Sequence, residues 1–151
     1  MEWTTHAVTG IGLGYAFTGD WKIALISGAM AVVPDLDEPR SRFGKLFFFI
    51  SIPLNMLFGH RTFTHSLLFV ALLGGIVSLF SPSIAIASII GVLTHILGDM
   101  ATGKVKLLYP LPKSIGISVS RFNYLLIDRL TRLATVVLIC VAGYQEFQHF
   151  I

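Results

Sequence analysis

Residues 62–98 read TFTHSLLFVALLGGIVSLFSPSIAIASIIGVLTHILG, without a single Asp, Glu, Lys or Arg. Ser81-Pro82-Ser83 is a turn sequence, and it divides the run into two apolar stretches, Thr64 to Phe80 and Ile84 to Gly98. Two uncharged stretches joined by a tight turn predict a helical hairpin, and neither keeps a charged face to set against water. The bilayer is the natural solvent for such a hairpin.

The rest of the chain agrees. Hydrophobic residues make up 54% of the 151 residues and charged ones 13%, with a mean hydropathy of +0.79. Eleven basic and eight acidic side chains are too few to cover a soluble domain of this size. The length fits one domain, residues 1–151, with no room for a second core. The net charge of +3 is small and no basic stripe interleaves with aromatics, so nucleic acid is excluded as a partner. Cys140 is alone in an apolar run, which excludes a disulfide framework and predicts a small buried hydrophobe. Glu2-Trp3 offers no basic leader, and the first hydrophobic segment is read as retained.

Outside the hairpin, apolar segments run from about Ala7 to Thr18 and from Trp21 to Val33, and a last helix from Arg121 through Leu133–Tyr144. Gly19-Asp20 separates the first two, Pro34 stops the second, and Thr64 is the expected cap of the fourth, Thr64 to Phe80. With borrowed flanking residues most reach about 16–18 residues, or about 24–27 Å. Leu46–Phe58 is shorter, contains Pro53, and reads as re-entrant or interfacial. The expected fold is all-α: an integral membrane bundle of about five short transmembrane helices plus that segment. Gly10, Gly12 and Gly14 form no nucleotide fingerprint and are expected to let helices approach closely.

If Leu46–Phe58 does not cross, the connections Asp35–Lys45, Gly59–Thr64 and Asp99–Ser120 share one face. Every basic residue except Lys22 then lies on it, including Arg129 and Arg132 at the start of the last helix. That asymmetry marks the face as cytoplasmic, with the N-terminus inside and the C-terminus outside.

The same helix directions gather the chemistry. His6 opens the first segment, Asp35 and Asp37 follow the second, His60 and His65 precede the fourth, and His95 and Asp99 end the fifth. Each group alone has an ordinary reading: an interfacial histidine, a Pro-Asp turn, a loop histidine beside Arg61. His95 and Asp99 are harder to dismiss, because they share one face of an apolar helix. Imidazoles and carboxylates together suit Zn²⁺, with Mn²⁺ or Fe²⁺ as alternatives. Seven candidates exceed the needs of one catalytic ion, so one ion with supporting carboxylates, or two ions, is expected. Asp37 or Asp35 is the expected general base or bridging ligand. Arg61 is a candidate for pairing with a phosphate or oxyanion, or for anchoring to headgroups.

These motifs resemble the bacterial membrane-bound metal-dependent hydrolases, inner-membrane-associated proteins with a LexA-binding label. The likeness rests on Thr5-His6, Pro34-Asp35-Leu36-Asp37, His60-Arg61-Thr62-Phe63-Thr64-His65-Ser66, His95 with Asp99 and Thr102, Gly103, and Leu107-Leu108-Tyr109-Pro110. It covers roughly residues 4–130. More distantly the order is similar to zinc-dependent phospholipase C and the S1/P1 nucleases, which implies His6, Asp35, His60 or His65, His95 and Asp99 as ligands. The later His-rich set of those enzymes is missing. Asp128 is a late acidic candidate or a helix-face charge, and His149 is excluded. The resemblance implies hydrolysis of a phosphoester, or another ester, of a lipid or amphiphile at the cytoplasmic face of the inner membrane. The rival expectations are a regulatory protein with a structural metal site and a protein partner, and a metal-ion transporter. Oligomeric state is not legible.

Overall fold

The computed structural model describes residues 1–150, with side chains through Gln148, and 75% of the chain is helical. The helices are α1 (Trp3–Thr18), α2 (Trp21–Met30), α3 (Arg42–Leu46), α4 (Phe48–Phe58), α5 (Leu67–Ser78), α6 (Pro82–Thr102) and α7 (Arg121–Phe150). Short 3-10 turns at Val33–Asp37 and Phe63–His65 precede α3 and α5. The strands β1 (Lys104–Val105) and β2 (Ile115–Gly116) form a two-residue antiparallel ladder in the long α6–α7 connection. The all-α class holds.

Local chemistry sets the boundaries. Gly19 closes α1 with φ 64°, a left-handed conformation suited to glycine, and Asp20 caps α2 through the amides of Lys22 and Ile23. Ser81 caps α6 with Pro82 in its first turn. The cap of α5 is Ser66, which accepts from the Phe69 amide; the expected cap, Thr64, is engaged elsewhere. Pro34 ends α2 three residues sooner than expected, because the chain tightens into a 3-10 turn before it.

Lengths correct the expectation of uniformly short spans. By length and composition, α6 alone among the described helices qualifies as a membrane span, with 21 residues, or about 31 Å. The 16 residues of α1, 10 of α2 and 12 of α5 give about 24, 15 and 18 Å. At 30 residues α7 is longer than a bilayer requires, and its ends are polar.

The packing is inverted relative to a soluble protein. Buried positions are held by Thr5, His6, Ser27, His65, Ser88, His95 and Asp99, together with small apolar residues such as Ala24, Ala31 and Ala87. Phe17, Leu79 and Phe80 face outward at 74%, 82% and 85% exposure, so hydrocarbon matches this surface and water does not. Cys140, expected to be buried, is exposed on the outer face of α7.

Small residues bring the helices together, as the sequence led us to expect. A Cβ on Gly10 would lie 2.8 Å from the Ser27 carbonyl of α2, and one on Gly12 would lie 2.5 Å from Thr135 of α7. Gly91 seats α6 on α2, where an added Cβ would meet the Ser27 carbonyl at 2.3 Å. In an open helix Gly→Ala stabilises by about 1 kcal/mol. At Gly91 the sign should reverse. Gly91→Ala is expected to cost about 1–3 kcal/mol by overpacking and to lower the unfolding temperature in detergent. Gly75→Ala, with nothing within 4 Å of the new Cβ, should leave it level or raise it.

Candidate metal centre

The ends of α1 and α6 meet the Val33–Asp37 and Phe63–His65 turns at one end of the bundle, and all seven expected His and Asp residues gather there. Three interlocking groups have ligand atoms within 4.8 Å of one another: His6, His95 and Asp99; Asp35, His65 and His95; and Asp37, His60 and His65.

His95 sits on the buried face of α6, with its Nδ1 2.7 Å from the Ala31 carbonyl at the end of α2. Donation to that carbonyl fixes the tautomer and leaves Nε2 as a bare acceptor. It lies 3.1 Å from His65 Nε2, 3.7 Å from Asp35 Oδ1 and 3.9 Å from Asp99 Oδ2. His65 is held in the same way. Its Nδ1 is 2.9 Å from Thr64 Oγ1, whose hydroxyl donates to Asp37, while its Nε2 stands 3.4 Å from Asp99 Oδ2. The edges of a tetrahedral zinc site with N ligands are about 3.3–3.4 Å, from its bond lengths of about 2.0–2.1 Å. The observed spacings bracket that value.

Asp99 is 1% exposed and faces two ways. Oδ1 lies 3.3 Å from His6 Nε2 and 2.6 Å from the Met1 ammonium. Oδ2 lies 2.8 Å from Arg61 Nε, close enough for charge pairing but without hydrogen-bond alignment. His6 stacks on His95, with ring centroids 3.8 Å apart and 19° between planes. Both His6 ring nitrogens are buried without a hydrogen-bond partner. Orphaned imidazole nitrogens are costly unless something binds them, and a cation between His6 and Asp99 would answer that cost at Nε2, the nitrogen that faces Asp99. The donor set fits a divalent metal.

Asp37 is differently placed. Its carboxylate takes His60 Nδ1 at 2.6 Å, the Arg61 amide at 3.1 Å and the Thr64 hydroxyl, while its carbonyl takes Asn55 Nδ2 at 2.8 Å. Burial would push this carboxyl up, but the hydrogen bonds from His60, His65 and Thr64 outweigh it and hold Asp37 well below the ordinary carboxylate range. Asp35, partly exposed and without such donors, is pushed up by burial against the lowering effect of His6. Burial lowers His65, yet Asp37 and Asp99 prevail and raise it to about 9.

Arg61 links the carboxylates by its backbone to Asp37 and its side chain to Asp99. It does so at φ 60°, a strained conformation for a non-glycine residue, held by its carbonyl's bond from the Lys106 amide. Gly103 makes room for the guanidinium: a Cβ there would lie 2.2 Å from Nη1.

Asp128 stands outside the cluster. It is buried and accepts from the Glu2 amide at 2.8 Å, so it caps the start of α1 and holds His6 in register. The side chain of His149 lies outside the described residues. Thr64 and the Ala31 carbonyl were not legible as site elements. Thr64 belonged to the His60–Ser66 run that carries the resemblance, but was read as a helix cap.

Relatives supply a membrane address and no reaction. The chain is 36% identical over 118 residues to the uncharacterized protein YvsG of Bacillus subtilis, covering 73% of this chain and 74% of that one. It is 41% identical over 101 residues to the inner membrane protein YdjM of Escherichia coli, with equal figures for that of Shigella flexneri. Those alignments cover 61% of this chain and 52% of the relatives, about half their length. No solved structure matches. The description YdjM inner membrane protein matches residues 1–149, and the chain belongs to that family.

Proposed function

We propose that this chain is a multi-pass, metal-dependent hydrolase of the inner membrane, acting on a phosphoester or other ester of a lipid or amphiphile at the cytoplasmic face. The observation that carries the reading is the convergence of buried imidazoles and carboxylates on one point, with the outer nitrogens of His65 and His95 already held by Thr64 and the Ala31 carbonyl. In this reading His6, Asp35, His65, His95 and Asp99 are the ligands, and Asp37 and His60 support them. A second ion at Asp37, His60 and His65 requires Thr64 and His60 to give up their bonds to Asp37. Zn²⁺ suits the donors best, with Mn²⁺ or Fe²⁺ next.

When bound, such an ion polarises an ester oxygen and lowers the pKa of a water toward neutrality. The chain's own groups do the rest. Asp35, the least engaged carboxylate, faces His95 with Oδ1 and is suited to accept a proton at its other oxygen, Oδ2. Asp37 holds a charge that orients His65 and His60. Arg61, about a quarter exposed beside Asp99, is suited to pair with an anionic substrate through its remaining N–H groups.

The test is metal content and turnover of the detergent-purified protein. We expect one or two ions per chain, and hydrolysis of a generic phosphodiester or carboxylic ester that a chelator abolishes. Absence of tightly held metal would sink the reading. Stoichiometric metal with no turnover on either ester would favour the regulatory protein with a structural site.

A further inference from the structure

Helix α4 is polar toward the protein and apolar away from it. Its two polar side chains, Ser51 and Asn55, are one turn apart and share a face. That face is turned inward. Ser51 is buried beside Gly44, where a Cβ would meet its Oγ at 2.9 Å, and Asn55 bonds the Asp37 carbonyl. Phe48, Phe49, Ile52, Met56 and Leu57 point outward, Met56 at 80% exposure. In water this arrangement places a large apolar surface against solvent. Against hydrocarbon it is the favoured order.

Length and connections narrow the location. The 11 residues of α4 span about 16 Å, half of a hydrocarbon core of about 30 Å. The helix packs chiefly on α3 and the Val33–Asp37 turn. Its two ends lead back to Asp37 and to His60, both in the metal cluster, so the segment leaves and returns at one end of the bundle. Just before it stand Arg40, Arg42 and Lys45, all exposed, with the Arg42 guanidinium 5.6 Å from the Trp3 ring. Cations and a tryptophan beside an apolar helix match the boundary between headgroups and acyl chains.

We propose that α3 and α4 form an anchor in one leaflet: α4 lies among the acyl chains on the site's side of the bilayer, and Arg40, Arg42 and Lys45 pair with anionic headgroups. The partner is an anionic lipid surface. The Asn55–Asp37 bond makes that leaflet a neighbour of the metal cluster, on the side from which an amphiphile would approach. This anchor requires the membrane location and no reaction.

Site-directed spin labelling tests it. On a Cys140→Ser background, nitroxides are attached at Ser41→Cys, Phe49→Cys and Met56→Cys, and the protein is reconstituted in phosphatidylglycerol–phosphatidylcholine vesicles. Depth is read from the relative accessibility to oxygen and to a water-soluble nickel complex. We expect position 41 at headgroup level, and 49 and 56 in the acyl region without crossing the bilayer centre. Water-like accessibility at both 49 and 56, or a depth that passes the centre between them, would overturn the anchor. Replacing Arg40, Arg42 and Lys45 with Gln should make position 56 shallower in these vesicles but not in pure phosphatidylcholine; equal depths would overturn the headgroup pairing. Metal content measured on the same samples separates this outcome from failure of the hydrolase reading.

Discussion

Asp99→Ala is expected to strip the protein of metal and of turnover together, with metal affinity falling by well over 100-fold. Loss of a supporting partner costs about 10–100-fold. Asp99 should exceed that range because both of its oxygens face the donor cluster, Oδ1 toward His6 and Oδ2 toward His65 and His95. Asp37→Asn should stay within it, since Asp37 acts through His65, His60 and Thr64. Removing Asp99 also takes the buried counter-charge from Arg61 and one of two from His65, a destabilising change. Asp99→Asn is therefore the companion variant: it keeps the volume and loses the charge. Metal analysis of monodisperse protein reads the result. Equal metal loss in Asp99→Ala and Asp37→Asn would mean that the two carboxylates have equal standing. Retention of metal in Asp99→Asn would remove Asp99 from the ligands.

Much of this site is legible in the sequence, and the reason is geometric. Apolar runs separated by tight turns alternate in direction, so residues at alternate segment boundaries reach the same end. His6, Asp35, His65, His95 and Asp99 meet for that reason. Periodicity says nothing, however, about which carboxylate is free. Asp35 and Asp37 differ by two positions in one turn, and only the arrival of Thr64, His60 and the Arg61 amide commits Asp37 to hydrogen bonds. Asp128 was ambiguous for a similar reason: its partner is a backbone amide 126 residues away, with no side-chain signature. Helix lengths were misjudged where polar residues belong to a helix, as at Asp99–Thr102, which α6 includes because their polar atoms turn inward to the cluster. The inward face of α4 was likewise invisible. Ser51 and Asn55 in an apolar stretch look like interruptions until the fold shows what they touch.

Metal affinity should rise with pH, by about tenfold per unit between pH 6.5 and 9, because a ligand must first lose its proton. In the metal-free chain His65 is clamped between Asp37 and Asp99 and its pKa is raised to about 9. At pH 7 it is mostly protonated. The metal therefore displaces a proton, and calorimetry in buffers of different ionisation enthalpy should count about one released proton from His65 at that pH. Stability of the metal-free chain should run the other way. A histidine raised above its ordinary 6.5 contributes fully below that pH and loses the contribution as pH climbs through about 9. Asp37, held below the ordinary carboxylate range, contributes above about pH 4 and loses the contribution on acidification. The metal-free protein is thus most resistant to unfolding between about pH 4 and 6.5, where its affinity for metal is low. Asp37→Asn removes one of the two charges that raise His65, so its proton release at pH 7 should shrink and its affinity should level off at a lower pH. A pH-independent affinity in the parent would show that His65 is not among the ligands.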